Sequence, residues 1–346
     1  MKDCHSGAPA LETPRGDILR RLIGWVLLAV VGLGACSKKP SPNEVPASSS
    51  GPAPAIKLRL ALNWVPEPEF GGFYAGREEG SYRKHGIDLE ILGGGAGSPV
   101  LQVIATGRAD FGIVGADDVV IGKARGADIV GVFAAFQKSP QGIMVHAARK
   151  LTRIEQAFRS GTLALETGQP YAEYLKQKYS WNGVKIVPYD GGVARFLADP
   201  EFAQQCYVTS EPLAAKRQGG DPQVFLVADS GYNPYTTLVI TRRELLQQKP
   251  ELVRAFVAAT VEGWQSYLTN PRKTNAVLGK LNGAMDDQAL AAAAEAQRPL
   301  IDDADAKKFG LGSMQRARWE TLVNQLADLK LIERKPAVDD LFVNLR

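Results

Sequence analysis

Seven side chains have the types and spacing to hold a planar molecule rich in hydrogen-bond donors: Asn63, Trp64, Tyr74, Asp117, Gln169, Tyr189 and Glu211. The first two open the segment Asn63-Trp64-Val65-Pro66-Glu67-Pro68-Glu69-Phe70, directly after an apolar run. A tryptophan stiffened there by two prolines is costly to leave in water unless its flat face meets a ligand; the alternative is that Trp64 and Phe70 plug the interior. Tyr74 follows Phe70 by one turn and offers packing or a hydroxyl. In Val114-Gly115-Ala116-Asp117-Asp118 one carboxylate caps a helix, which leaves the other to accept hydrogen bonds. Gln169 and Tyr189 each stand just past a further apolar run, and Glu211 lies in Thr209-Ser210-Glu211-Pro212. A glutamate there is either a first-turn acid favoured by the helix dipole or a cleft carboxylate. In a closed, poorly hydrated cleft it is expensive unless a donor-rich ligand, such as an aminopyrimidine, satisfies it.

Covalent catalysis has little to build on. Of three histidines, His5 falls in an N-terminal leader, His85 in the charged turn Tyr82-Arg83-Lys84-His85-Gly86, and His146 in a strand. No Ser/His/Asp constellation, zinc-ligand spacing or paired catalytic carboxylates stand out, so the expectation is a protein without enzymatic activity, cofactor or metal. The loop Gly93-Gly94-Gly95-Ala96-Gly97-Ser98 lacks the Lys-Ser/Thr ending of a phosphate-cradling loop, and indicates only a close backbone approach.

These residues need strands to carry them. Apolar runs at about 56–62, 87–92, 109–115, 129–135, 142–147, 162–166, 184–188, 206–209, 223–228 and 236–241 alternate with helical patterns, the signature of α/β architecture with mostly parallel sheets. Ser98 is a plausible N-cap with Pro99 at the first helical position. Trp319, Leu322, Val323 and Leu326 repeat at helix spacing in an all-helical C-terminal portion. The runs at 142–147 and 236–241 bracket a middle lobe, which gives lobe one as 56–143 plus 237–346, lobe two as 144–236, and two crossover segments acting as a hinge. Ligands in such sheets collect beyond the carboxyl ends of the strands.

The N-terminal region describes export. Basic Arg20-Arg21 precedes an apolar core from Leu22 to Leu33 and then Leu33-Gly34-Ala35-Cys36, the spacing of a lipoprotein signal peptide over 1–35 with lipidation at Cys36. The apolar stretch is about a dozen residues, against about 20 for a membrane span. Residues 36–55 then form a Pro/Ser/Ala-rich tether. Cys4 belongs to the leader and Cys36 carries lipid, so Cys206, in an apolar run, is left as a buried structural thiol. The net charge of +4 gives no basic stripe for nucleic acid.

The segments LNWVPEPEFGGFYAG (60–76), ATGRADFGIVGADD (105–118), SPQGIMVH (139–146), YVTSEP (207–212) and GYNPYTT (231–237) resemble the periplasmic-binding-protein superfamily. That superfamily includes nitrate, taurine and alkanesulfonate binders and the thiamine-pyrimidine synthase-like proteins. The resemblance implies a two-lobed type II periplasmic-binding fold, with ligand contacts at Asn63, Trp64 and Glu211. It further implies a monomeric, lipid-anchored solute-binding protein of an ABC importer, facing the periplasm or exterior and partnered by permease subunits. A thiamine pyrimidine precursor or riboflavin-like heterocycle is the expected ligand. The alternatives are a sulfonate, taurine or nitrate binder, and a synthase-like enzyme; the fungal synthases of the superfamily use pyridoxal phosphate and a cysteine-rich metal motif that this chain does not contain.

Overall fold

The computed structural model describes residues 55–166 and 168–345. The expected leader, Cys36 and the tether up to Pro54 lie outside them. Among the described residues ten strands form: β1 Ile56–Ala61, β2 Ile87–Leu92, β3 Phe111–Val114, β4 Ile129–Phe136, β5 Gln141–His146, β6 Thr162–Leu165, β7 Lys185–Pro188, β8 Phe202–Tyr207, β9 Pro222–Leu226 and β10 Thr236–Arg242. They make two five-stranded sheets, ordered β2-β1-β3-β10-β4 and β7-β6-β8-β5-β9.

Each sheet holds four strands running one way and one reversed, β10 in the first and β5 in the second. The reversed strands are the two that arrive from the other sheet. A short crossing delivers the chain to the edge where neighbouring strands end, so the incoming strand must run back against them. The sheets are therefore mixed. Gln141–Ile143, assigned from sequence to lobe one, pair with β8 and β9 in the second sheet.

Close helix packing sets the position of the first loop. Helix Gly71–Glu78 lies so tightly on helix Pro250–Thr269 that a Cβ at Gly72 would sit 2.1 Å from the Trp264 ring, and one at Gly263 2.3 Å from the Gly72 carbonyl. Phe111 and Phe256 stack beneath with centroids 3.7 Å apart. The single turn of 3-10 helix Pro68–Phe70 immediately precedes that contact, and the buried Gln297 amide donates to the Pro68 carbonyl at 2.8 Å. Glu67 and Glu69 thus sit on a braced turn.

The two crossings, 137–140 and 231–235, are tied together. The Ser139 N–H donates to Asn233 Oδ1 at 2.9 Å. Arg318, from helix Arg316–Asp328, donates Nε to the Asn233 carbonyl at 2.7 Å and another guanidinium nitrogen to the Pro234 carbonyl at 3.1 Å. Its third nitrogen donates to the Gln137 carbonyl, and the guanidinium lies 3.8 Å from the Tyr235 ring centroid. Trp319, Leu322, Val323 and Leu326 of the same helix are buried, as their spacing predicts.

Candidate interlobe ligand site

The carboxyl ends of the parallel strands converge on one polar region. From β1 come Asn63 and Trp64, both exposed, Trp64 at 38%. The Gly-rich loop after β2 closes on them: the Gly94 N–H donates to the Trp64 carbonyl at 3.0 Å, and a Cβ at Gly94 would lie 2.2 Å from the Leu62 carbonyl oxygen. Only glycine allows that approach. Ser98 does not cap the following helix Val100–Ala105, where Pro99 takes the cap position; its hydroxyl instead accepts from the Gly95 N–H at 2.8 Å.

Past β3, Asp118 accepts from the Gly115 N–H at 3.1 Å and so caps helix Ala116–Ala124. Asp117 is the other carboxylate, and Tyr232 Oη donates to its Oδ2 at 3.1 Å. Burial, then the neighbouring Asp118, raises the Asp117 pKa above the carboxylate range. From the second sheet, Glu211 opens helix Glu211–Arg217, accepts from the Tyr207 N–H at 2.7 Å and takes a short hydrogen bond from Tyr189 Oη. Tyr189 and Glu211 are thereby one unit. Burial raises the Glu211 pKa against the pull of those donors.

Two acids that sequence reading did not single out join this group. Glu69 is 7% exposed, and among the described residues its carboxyl has no hydrogen-bond or ion-pair partner. Burial, then Glu67 and Glu211, drives its pKa well above the usual range. Glu67 is half-buried, and burial followed by Glu211 lifts it to about 7, opposed by the Trp64 indole N–H. The Tyr207 phenol, at the end of β8, is within interaction range of Glu69, Asp117, Asp118 and Glu211. Among the described residues, no Lys, Arg or His forms a salt bridge with Glu67, Glu69, Asp117, Asp118 or Glu211.

Not every expected residue reaches this region. Tyr74 is 2% exposed inside the first-sheet core, with the Arg77 guanidinium 4.9 Å from its ring centroid, and it is not among the groups around Glu211. It packs because the glycine contact turns its face of the helix inward. Gln169 is half-buried at the N-cap of helix Pro170–Lys178. The neighbouring Tyr171 comes closer to the acids: its hydroxyl donates to Gln205 Oε1 at 2.6 Å, and Glu211 is among the charges acting on it. His146 stacks on Phe196 at 3.9 Å and Cys206 is buried, both structural. A surface depression of about 300 Å³ lined by Gly231, Asn233, Arg318 and Gln325 lies behind the crossings and includes none of the five acids.

Comparison with known proteins supports this architecture. The riboflavin-binding protein RibY of Chloroflexus aurantiacus is 23% identical over 266 residues, 72% of this chain and 75% of its own. The formylaminopyrimidine-binding protein of Halalkalibacterium halodurans is 20% identical over 346 residues, covering 92% and 97%. Among solved structures, the periplasmic aliphatic sulphonate binding protein SsuA from Escherichia coli superposes with a TM-score of 0.65 at 15% identity, over 82% of this chain and 91% of that one. The fold is therefore the two-lobed periplasmic-binding-protein fold. With the NMT1/THI5 like family model matching residues 67–274, from the Glu67 turn to beyond β10, the chain belongs to that family.

Proposed function

We propose that this protein is the solute-binding component of an ABC import system and captures a planar nitrogen heterocycle between its two sheets. The observation that carries the reading is an exposed Trp64 indole beside acids that have no basic partner among the described residues, all at the carboxyl ends of strands. A flat aromatic face and acceptor oxygens match a ring bearing N–H donors, as in a pyrimidine or flavin. Asn63, Trp64 and Asp117 would meet the ligand from the first lobe; Gln169 and the Tyr189–Glu211 unit would meet it from the second. The names of the two sequence relatives favour the same class. Lipid anchoring at Cys36 and delivery to a permease complete the proposal, with labelling by palmitate lost in Cys36→Ser as the check on the anchor.

A sulfonate fits this site poorly, because its charge would enter among five acids. The deciding experiment is mass spectrometry of ligand released from protein begun at Ile56, followed by calorimetry with a formylaminopyrimidine, riboflavin and taurine. Trp64→Ala is expected to weaken heterocycle binding by about 1–3 kcal/mol, the range for stacking of bases on aromatic side chains. A response to taurine alone would sink the assignment.

A further inference from the structure

We propose that the ligand enters this site as an organic cation, its charge neutralised by Glu67 and Glu69 from the first lobe and Glu211 from the second. The inference rests on the interlobe site described above and adds the ligand's charge. Glu69 is the central observation: a residue only 7% exposed whose carboxyl, among the described residues, has no hydrogen-bond or ion-pair partner, close enough to Glu67 and Glu211 for their charges to act on it. Among the described residues Glu211 has only neutral donors, the Tyr189 hydroxyl and the Tyr207 N–H.

The surrounding elements do not supply the missing charge. Against this turn pack helices Gly71–Glu78 and Asp287–Ile301, the latter also touching helix Glu211–Arg217. Their basic groups are committed elsewhere: Arg77 to Glu78, Arg298 to Glu295, and Arg217 to Asp286, while Lys216 is exposed. Acidic Asp287 adds nothing positive. Burial and mutual repulsion make these carboxyls hold their protons to higher pH than free acids do, so in the ligand-free protein protons can stand in for the missing cation, in line with the raised pKa values of Glu67, Glu69 and Glu211. A bound cation displaces those protons. An organic cation suits the geometry better than a metal ion, since among the described residues no three His, Cys, Asp or Glu side chains converge for ligation.

The test uses matched probes at pH 7 in thermal-shift and calorimetric titrations: nicotinamide and N-methylnicotinamide cation, thiamine, riboflavin, putrescine, taurine and zinc chloride. The expected result is stabilisation by N-methylnicotinamide or thiamine with little from nicotinamide. Heats should depend on the buffer in the sense of proton release, and binding of the cation should weaken tenfold or more in Glu69→Gln and in Glu67→Gln. Both variants replace an acid by its isostere, so their unliganded melting curves report folding separately. Equal or tighter binding of the neutral rings, a response to zinc alone, or no stabilisation by any organic cation overturns the inference. The two readings separate cleanly. Binding of riboflavin or nicotinamide alone keeps the heterocycle and removes the cation, whereas binding of putrescine alone keeps the cation and removes the planar ring.

Discussion

Two regions bury charge, and they do so in opposite ways. At the crossings, Arg318 finds three carbonyl acceptors and an aromatic face, so every part of the guanidinium is used. At the ends of the strands, Glu69 is buried with no hydrogen-bond or ion-pair partner among the described residues, beside Glu67 and Glu211. A satisfied buried ion fixes structure, because removing it leaves its acceptors stranded. An unsatisfied one weakens the protein until something arrives to complete it. The difference separates the part of the molecule that ties the two crossings together from the part proposed to take a ligand.

Breaking the satisfied side should have the largest effect. Arg318→Met removes the guanidinium but keeps most of the stem, stranding the carbonyls of Gln137, Asn233 and Pro234. Stability to urea should fall by roughly 3 kcal/mol. A loss below about 1 kcal/mol would mean that water replaces the guanidinium freely, and the contrast between the regions would disappear.

Removing charge on the unsatisfied side should do the reverse. The folded protein holds a proton on Glu67 up to about pH 7 and the unfolded chain only to about 4.5, so between these values the folded state binds more protons. Stability conferred by that proton is present at low pH and lost as pH rises through the window, by at most about 3 kcal/mol. Glu67→Gln should therefore be more stable than the parent at pH 8 and similar to it at pH 5, read from urea midpoints. Equal differences at both pH values would show that Glu67 ionises freely.

A smaller effect tests the boundary between the regions. Tyr189 donates to Glu211 and favours its charged form. Tyr189→Phe should cost about 1 kcal/mol at pH 8 and push Glu211 further up, with less cost at pH 5, because the bond favours the charged acid and weakens as the acid takes up a proton. Calorimetric melting at the two pH values measures this, and a pH-independent change would assign Tyr189 to packing alone.

Strand periodicity made most of the scaffold legible, since β2, β5 and β10 lie within a residue or so of the apolar runs that mark them. β8 was harder to see. Its apolar reading at 206–209 misses the true start at Phe202, because Gln204 and Gln205 stand buried in the strand, where they look like loop residues. Their amides are used by tertiary partners: Gln204 donates to the Gly192 carbonyl, and Gln205 Oε1 accepts from Glu166 N–H and Tyr171. No local pattern reveals such pairing. Asn63, Trp64 and Glu211 stood out by position, but Glu67 and Glu69 did not, because a Pro-Glu-Pro-Glu run reads as an exposed turn until helices pack over it. The misplacement of Tyr74 has the same origin, since which face of its helix is buried depends on Gly72 meeting Gly263 some two hundred residues away.

The placement of β10 between β3 and β4 has a consequence for how the chain acquires its structure. Strands β5 to β9 are contiguous in sequence and complete their sheet by residue 226, whereas β3 and β4 have no pairing between them until residues 236–242 arrive. A chain emerging from its N-terminus therefore carries two unfilled edges, available for wrong pairing, while its second sheet is already closed. Pulsed hydrogen exchange should find the amides of β5, β6 and β8 protected before those of β3 and β4. The helix carrying Arg318 follows both sheets in the chain, so the two crossings are expected to be tied together last.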